Sequence, residues 1–232
     1  MTDTVVPDVG TDTRNAGRFL YTATVVFLCA WVIVPIYFLL INTLSSPETV
    51  NSFPKPFLPE FDLGSLAFFA GFEGMLTALK NSVLVAGMTM IMSILIGAPA
   101  GYALSRFEFR GKGLFRLLIL LTRAFPLPLL ALPLAVLFIR TGLDDTAFGL
   151  ALVHTTLAIP FSVLITFSLF SGIPIELEEA AWTLGCNRVT AFTKVVLPLI
   201  LPGITASAIF AFVISWNEVF AAAVLTIENR TL

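Results

Sequence analysis

Five apolar stretches, each long enough to cross a bilayer and almost free of charge, constrain what this chain can fold into more than any other feature. A membrane-spanning helix needs ~20 mostly apolar residues. Such runs lie at 19–41, 82–105, 114–139, 147–170 and 199–227. The first is too long for a signal-peptide core and lacks a small-residue cleavage site, so it is read as retained. The fold class expected is all-α: a polytopic membrane protein with one transmembrane domain over 19–232. Of the 232 residues, 57% are hydrophobic and only 12% charged, about half the charge of a soluble domain.

The same inventory excludes several functions. A net charge of −2 leaves no basic excess to hold nucleic acid. Cys29 and Cys186 make neither a disulfide framework nor a metal site. His154 is the sole histidine, which removes most metal and triad chemistry. No G-x-x-x-x-G-K-[ST] phosphate loop occurs, so the chain is not expected to hydrolyse ATP. It reads as a non-enzyme with no cofactor.

Lys and Arg near the span ends orient the chain. Arg14 and Arg18 precede the first run, and Arg106, Arg110, Lys112 and Arg116 crowd the link between the second and third. Arg188 and Lys194 follow the fourth run, whereas the remaining links hold only Lys55, Lys80 and Arg140. The N-terminus and the 106–116 and 172–198 loops are therefore expected in the cytoplasm. Residues 1–18 read as a polar, disordered cytoplasmic tail. The external segment 44–81 carries Pro47, Pro54, Pro56 and Pro59, which forbid a long helix. Phe68, Phe69, Phe72, Met75 and Leu76 suggest a short interfacial helix there. Five spans leave Leu232 outside, and the abrupt end suggests a truncated chain.

Within the spans, Gly97 and Gly101 form a GxxxG around Pro99. Small residues let a second helix approach closely, and the proline is expected to kink the span, as packing seam or as gating bend. Arg123 lies ~10 Å deeper than Arg116 by helix rise, among Pro126, Pro128 and Pro133. It either snorkels or faces an interface or pathway. Glu218, in the run Trp216-Asn217-Glu218, is the one carboxylate in a span, and intramembrane carboxylates point into protein or water. His154 reads as a packing histidine rather than a proton relay.

The loop after the fourth span is the most ordered connection in the sequence. Pro174 and Glu176, Glu178 and Glu179 suit the first turn of a helix. Leu177, Ala180, Ala181 and Leu184 form one apolar stripe, and Gly185 ends it. A second helix is expected over 189–196, with Phe192 inward, capped by Asn187 and ended by Pro198. A helix pair with an exposed small-residue stripe is what docking into a partner's groove requires.

Glu179-Ala180-Ala181, Gly185, Val195, Leu197 and Pro198 together resemble the EAA motif of bacterial ABC-importer permeases, with Val195 in place of the usual Ile. Asn81-Ser82, Gly101-Tyr102-Ala103-Leu104-Ser105-Arg106 with Phe107, Gly111-Lys112 and Trp216-Asn217-Glu218 resemble the carbohydrate-uptake branch, of the maltose and glycerol-phosphate type. This likeness runs from the first span to Leu232. It implies a permease of the bacterial inner membrane that forms half of a translocation pathway with a second permease subunit. It further implies an ATP-binding subunit dimer gripping the loop and an extracytoplasmic solute-binding protein delivering solute. Glu178, Glu179, Ala180, Ala181, Leu184, Gly185, Leu197 and Pro198 then couple to the ATPase, while Arg123, Trp216, Asn217 and Glu218 face a pathway or interface. The branch has six spans where five are read here. A polyol or glycerophosphate-type solute fits the same mechanism. An ion-coupled carrier would need more buried ionisable groups and inverted repeats, and a non-transporting scaffold would recruit no ATPase.

Overall fold

The computed structural model describes residues 10–55 and 57–226. Residues 1–9 of the polar tail, position 227 at the end of the fifth run and Leu232 lie outside them. Regular structure among the described residues is entirely helical. The single domain expected over 19–232 divides into two compact units, Met1–Met75 and Leu76–Leu232.

In the first unit, α1 (Gly10–Thr43) holds the first apolar run. The helix reaches back to Gly10, so the tail expected to be disordered through 18 is helical in its second half. Propagation past a nucleated helix costs little per residue. Phe19, Leu20, Tyr21, Trp31 and Leu39 are all exposed, and a helix apolar all round belongs in hydrocarbon or against another protein. Two short helices follow, α2 (Pro47–Asn51) and α3 (Gly64–Gly71). Ser46 caps α2 by accepting from the Thr49 N–H, with Pro47 preset for the first helical position. The expected interfacial helix is realised only in part. Phe68 and Phe69 lie in α3, but Gly74, at φ 81°, breaks the run before Met75.

Glu60 gathers this connection. Its Oε1 accepts from the Thr49 hydroxyl at 2.5 Å and its Oε2 from the Ser46 N–H at 3.2 Å. These bonds, the Thr49 hydroxyl foremost, hold the carboxyl below its ordinary range.

In the second unit, α4 (Met75–Arg106) starts seven residues before the apolar run expected at Ser82 and carries Pro99 inside it. α7 (Ala147–Ser171) lies beside it in the same direction. Thr89 pairs with Ala151, Gly97 abuts Ser162, and Gly101 abuts Thr166. A Cβ on Gly101 would sit 2.2 Å from Thr166 Oγ1 and 2.6 Å from the Phe167 backbone N. The GxxxG is therefore a packing seam. The Thr166 hydroxyl lies 2.9 Å from the Gly97 carbonyl and 2.6 Å from the Ser162 carbonyl of its own helix, its one proton shared between them. Antiparallel to α7 runs α10 (Leu197–Trp216), with Phe161 edge-on to Phe210 and Gly203 against Leu169.

Two expected spans are interrupted. The third run divides into α5 (Lys112–Leu121), a 3₁₀ turn Thr122–Ala124 and α6 (Leu127–Thr141), bent by 88°. Phe125 precedes Pro126, which disfavours helical backbone, and it adopts ψ 115°. The fifth run ends as a long helix at Trp216, and α11 (Phe220–Leu225) follows after a break. Among the described residues four helices are long and apolar enough to cross a membrane, five if the bent pair is one span. One apolar core joins Val85, Phe138, Leu150, Ala222 and Leu225. A second joins Ala98, Phe170, Val196, Ile200 and Ile204 at the opposite end of α7.

Gly101→Ala is expected to destabilise by ~1–3 kcal/mol through overpacking. Gly87→Ala, with nothing within 4 Å of its Cβ, is expected to gain ~0.4–1 kcal/mol. Thermal unfolding of the detergent-purified chain reads both. For Glu60 the folded carboxyl titrates below the unfolded one, so its contribution is present above the ordinary carboxylate range and lost as pH falls through the lowered value. Proteolysis of the 44–64 connection should accelerate over that acidic interval in the native chain and lose this pH dependence in Glu60→Gln.

Candidate functional site

The loop of greatest interest forms α8 (Glu176–Thr183) and α9 (Arg188–Ala191), then a π-helical turn, Phe192–Val196, that leads into α10. Glu176, Glu178 and Glu179 occupy the first turn of α8, where the helix dipole favours them. Gly185 ends it at φ 89°, a conformation that costs any residue with a Cβ ~1–2 kcal/mol. Its N–H returns to the Trp182 carbonyl and that of Cys186 to the Ala181 carbonyl. Asn187 caps α9 by accepting from the Thr190 N–H at 2.7 Å, as the sequence suggests. Pro198, however, does not end that helix. The π turn widens the backbone where the proline ring would meet the preceding turn, and the chain continues into α10.

The apolar stripe read from the sequence is divided between two faces. Ala181 is buried, while Leu177, Ala180 and Leu184 are exposed, Leu184 by 85%. Glu179 is exposed beside them. Glu178 faces the other way and is 1% exposed. Its Oε2 accepts from the Tyr102 hydroxyl at 2.6 Å and its Oε1 from Arg106 Nε at 2.6 Å. Tyr102 and Arg106 are four apart on α4, so their side chains share one face and converge on one carboxylate. Arg106 Nη1 also donates to the Phe170 carbonyl at 3.0 Å, at the C-terminal end of α7 where a cation suits the helix dipole. Phe192 turns inward as expected, with its ring 4.9 Å from Tyr102, which in turn lies 5.2 Å from Phe170. Leu197 packs on the same core and Pro198 is exposed.

Sequence reasoning had no role for Tyr102, Arg106 and Phe170 in a common cluster. The i, i+4 spacing of Tyr102 and Arg106 at the end of a span was the available signal. Beneath α8 lies a pocket of about 370 Å³, walled by Pro99, Ile175, Trp182, Val189 and Phe192, with Arg188 over the Trp182 ring at 5.3 Å.

The other candidates do not join this cluster. Arg123 sits in the 3₁₀ turn at the bend, its guanidinium 3.9 Å over the Phe161 ring, while Arg116 lies 5.0 Å over Phe167. A cation over an aromatic face recovers part of what leaving water costs it. A pocket of about 360 Å³ opens beside Arg123 and Phe125, reaching Thr156. Trp216 stacks on Phe212, and the Asn217 amide donates to the Val213 carbonyl at 2.8 Å. Glu218 Oε1 accepts from the Ala221 N–H at 3.0 Å, starting α11. These three close one helix and open the next. His154 bonds Ser215 through Nδ1 at 2.7 Å, a packing contact between α7 and α10. Among the described residues no group of His, Cys, Asp and Glu could hold a metal.

Residues 93–232 match the family of binding-protein-dependent transport system inner membrane components. The chain is 36% identical to the trehalose transport system permease protein SugB of Mycobacterium tuberculosis, over 67% of this chain and 57% of that one. It is 31% identical to the probable ABC transporter permease protein YurM of Bacillus subtilis, over 92% of this chain and 68% of that one. The fold resembles, at TM-score 0.71 and 22% identity, a chain in the crystal structure of a bacterial ABC transporter involved in import of the acidic polysaccharide alginate. That likeness covers 97% of this chain and 79% of the other. A matched family, relatives at this identity and a shared fold over nearly the whole chain lead to one assignment: the chain belongs to the inner membrane components of binding-protein-dependent transport systems, the ABC transporter permeases, and is a multi-pass protein of the bacterial inner membrane.

Proposed function

We propose that this chain forms half of the translocation pathway of an ATP-driven carbohydrate importer and receives the work of ATP hydrolysis through α8. The observation that carries the proposal is the division of α8 into two faces. One, with Glu179, Ala180, Leu184 and the Gly185 turn, is exposed and free to enter a partner's groove; the other is buried against α4.

Charge supports a cytoplasmic position for this loop. Contact between Arg106 and Glu178 brings the basic 106–116 link to the same end of the unit as Arg188 and Lys194, and positive loops stay inside. Carbohydrate as cargo rests on the trehalose relative. The partners are a second permease, a dimer of ATP-binding subunits on α8 and an external solute-binding protein. Arg123, beside its pocket at the α5–α6 bend, and Trp216, Asn217 and Glu218 at the α10–α11 break are the candidates for a pathway or an interface.

The test is a pull-down of the N-terminally tagged full chain from detergent-solubilised membranes, identifying what accompanies it. The expected result is an ATPase and a second permease; a well-folded chain recovered alone would overturn the proposal. Gly185→Asp places a strained, charged residue at the end of the docking face. It should lower ATPase recovery by ~10-fold or more, each ~1.4 kcal/mol of lost contact being a factor of ten, and abolish uptake while leaving membrane insertion intact.

A further inference from the structure

Glu178, 1% exposed, does not lie on the face of α8 that is open to a partner. Its surroundings indicate a different task. The carboxylate receives one bond from Tyr102 and one from Arg106, both on α4, and Arg106 continues to the Phe170 carbonyl at the end of α7. Tyr102 is itself wedged between the rings of Phe170 and Phe192. The end of α4 thus meets the α7–α8 segment, 64 and 72 residues further along the chain, on one ion pair whose side chains are 9% and 2% exposed.

A buried ion pair gains little over apolar residues of equal volume, yet losing one partner is costly. The two bonds of Glu178 to α4 are directional, so α8 cannot shift along or turn away from the end of α4 without breaking them.

We propose that Glu178 is a positioning residue that ties α8 to the end of α4, so that displacement of α8 by a nucleotide-driven partner is passed to α4 through the Tyr102–Glu178–Arg106 bonds. This rests on the reading of α8 as the ATPase-docking helix. The outward face receives the push and the inward carboxylate transmits it.

The experiment is hydrogen–deuterium exchange by mass spectrometry on the complex recovered with the full-length chain, nucleotide-free and trapped with ATP and vanadate. In the native complex, trapping is expected to change exchange both in 176–185 and in 99–110. The quantity compared is the ratio of the second change to the first. Glu178→Gln should lower that ratio by about fivefold or more, the lower end of typical coupling between sites. Tyr102→Phe, which removes one bond and no charge, should lower it by less. A merely structural contact would instead raise exchange in 99–110 equally in both nucleotide states and leave the nucleotide-dependent difference intact.

Variants that keep the native ratio, or a native complex that responds in 176–185 and not in 99–110, would overturn the tether while sparing the docking reading. No response in 176–185 would strike the docking reading and the tether with it. Should Glu178→Gln fail to assemble, Tyr102→Phe decides: a native ratio overturns the proposal, a lowered one upholds it.

Discussion

Close approach of α4 to α7 is the constraint on which the second unit depends. Lipid tails are as apolar as leucine, so helices in a bilayer gain nothing by hiding apolar side chains from one another. They associate through tight contact and interhelical hydrogen bonds. Gly97 and Gly101 supply the contact, leaving no room for a Cβ against Ser162 and Thr166, and the Thr166 hydroxyl supplies a bond to the Gly97 carbonyl. Tyr102 is the next residue after this seam and Arg106 lies about one turn beyond it. The seam therefore sets the height and spacing at which both meet Phe170 and Glu178. Widening it would carry Tyr102 and Arg106 away from the carboxylate.

Polar groups are placed so that each interruption of a helix is answered locally. At the α5–α6 bend, Arg123 lies on Phe161. At the end of α10, Asn217 takes the Val213 carbonyl and Glu218 takes the Ala221 N–H. At the π turn, the Leu197 N–H reaches back to the Phe192 carbonyl. Irregular backbone at membrane depth is tolerated where protein satisfies it, and at the α10–α11 break the Asn217 and Glu218 side chains do so within a few residues.

The apolar runs, the packing glycines, the inward Phe192, the Asn187 cap and the Gly185 stop were all legible in the sequence, because each follows from local composition or a single residue's conformational preference. The breaks were less so. A run such as 114–139 is apolar apart from Arg116, Thr122 and Arg123, and Phe125-Pro126 signals that its backbone leaves the helix. Similarly, 199–227 hides the stop at Trp216 because α11 is as apolar as α10. Pro198 misled in the other direction, since a π turn absorbed it. The orientation of Glu178 was out of reach. Helical periodicity placed it beside Glu179 in an acidic first turn, and only the fold shows that its partners stand 76 and 72 residues earlier in the chain.

On the proposed reading, motion of α8 has two exits besides its direct chain link to α7 through 172–175, and both lead to α7. One is covalent, through α9 and the π turn into α10, which packs along α7 from Leu169 to His154. The other is the ion pair into α4, which packs on α7 along the glycine seam. With only the covalent exit, α10 would be driven while α4 stayed behind, and the seam would bear the shear. With both, α4, α7 and α10 move together. α6 and α11 follow, since Phe138 and Ala222 share one core with Val85 and Leu150. Packed interiors respond to small displacements as discrete bodies rather than by continuous deformation. On that reading the buried carboxylate between α8 and α4 would pass a push on a two-turn helix to this block, and the bends at Phe125 and Asn217 lie at ends of helices within it.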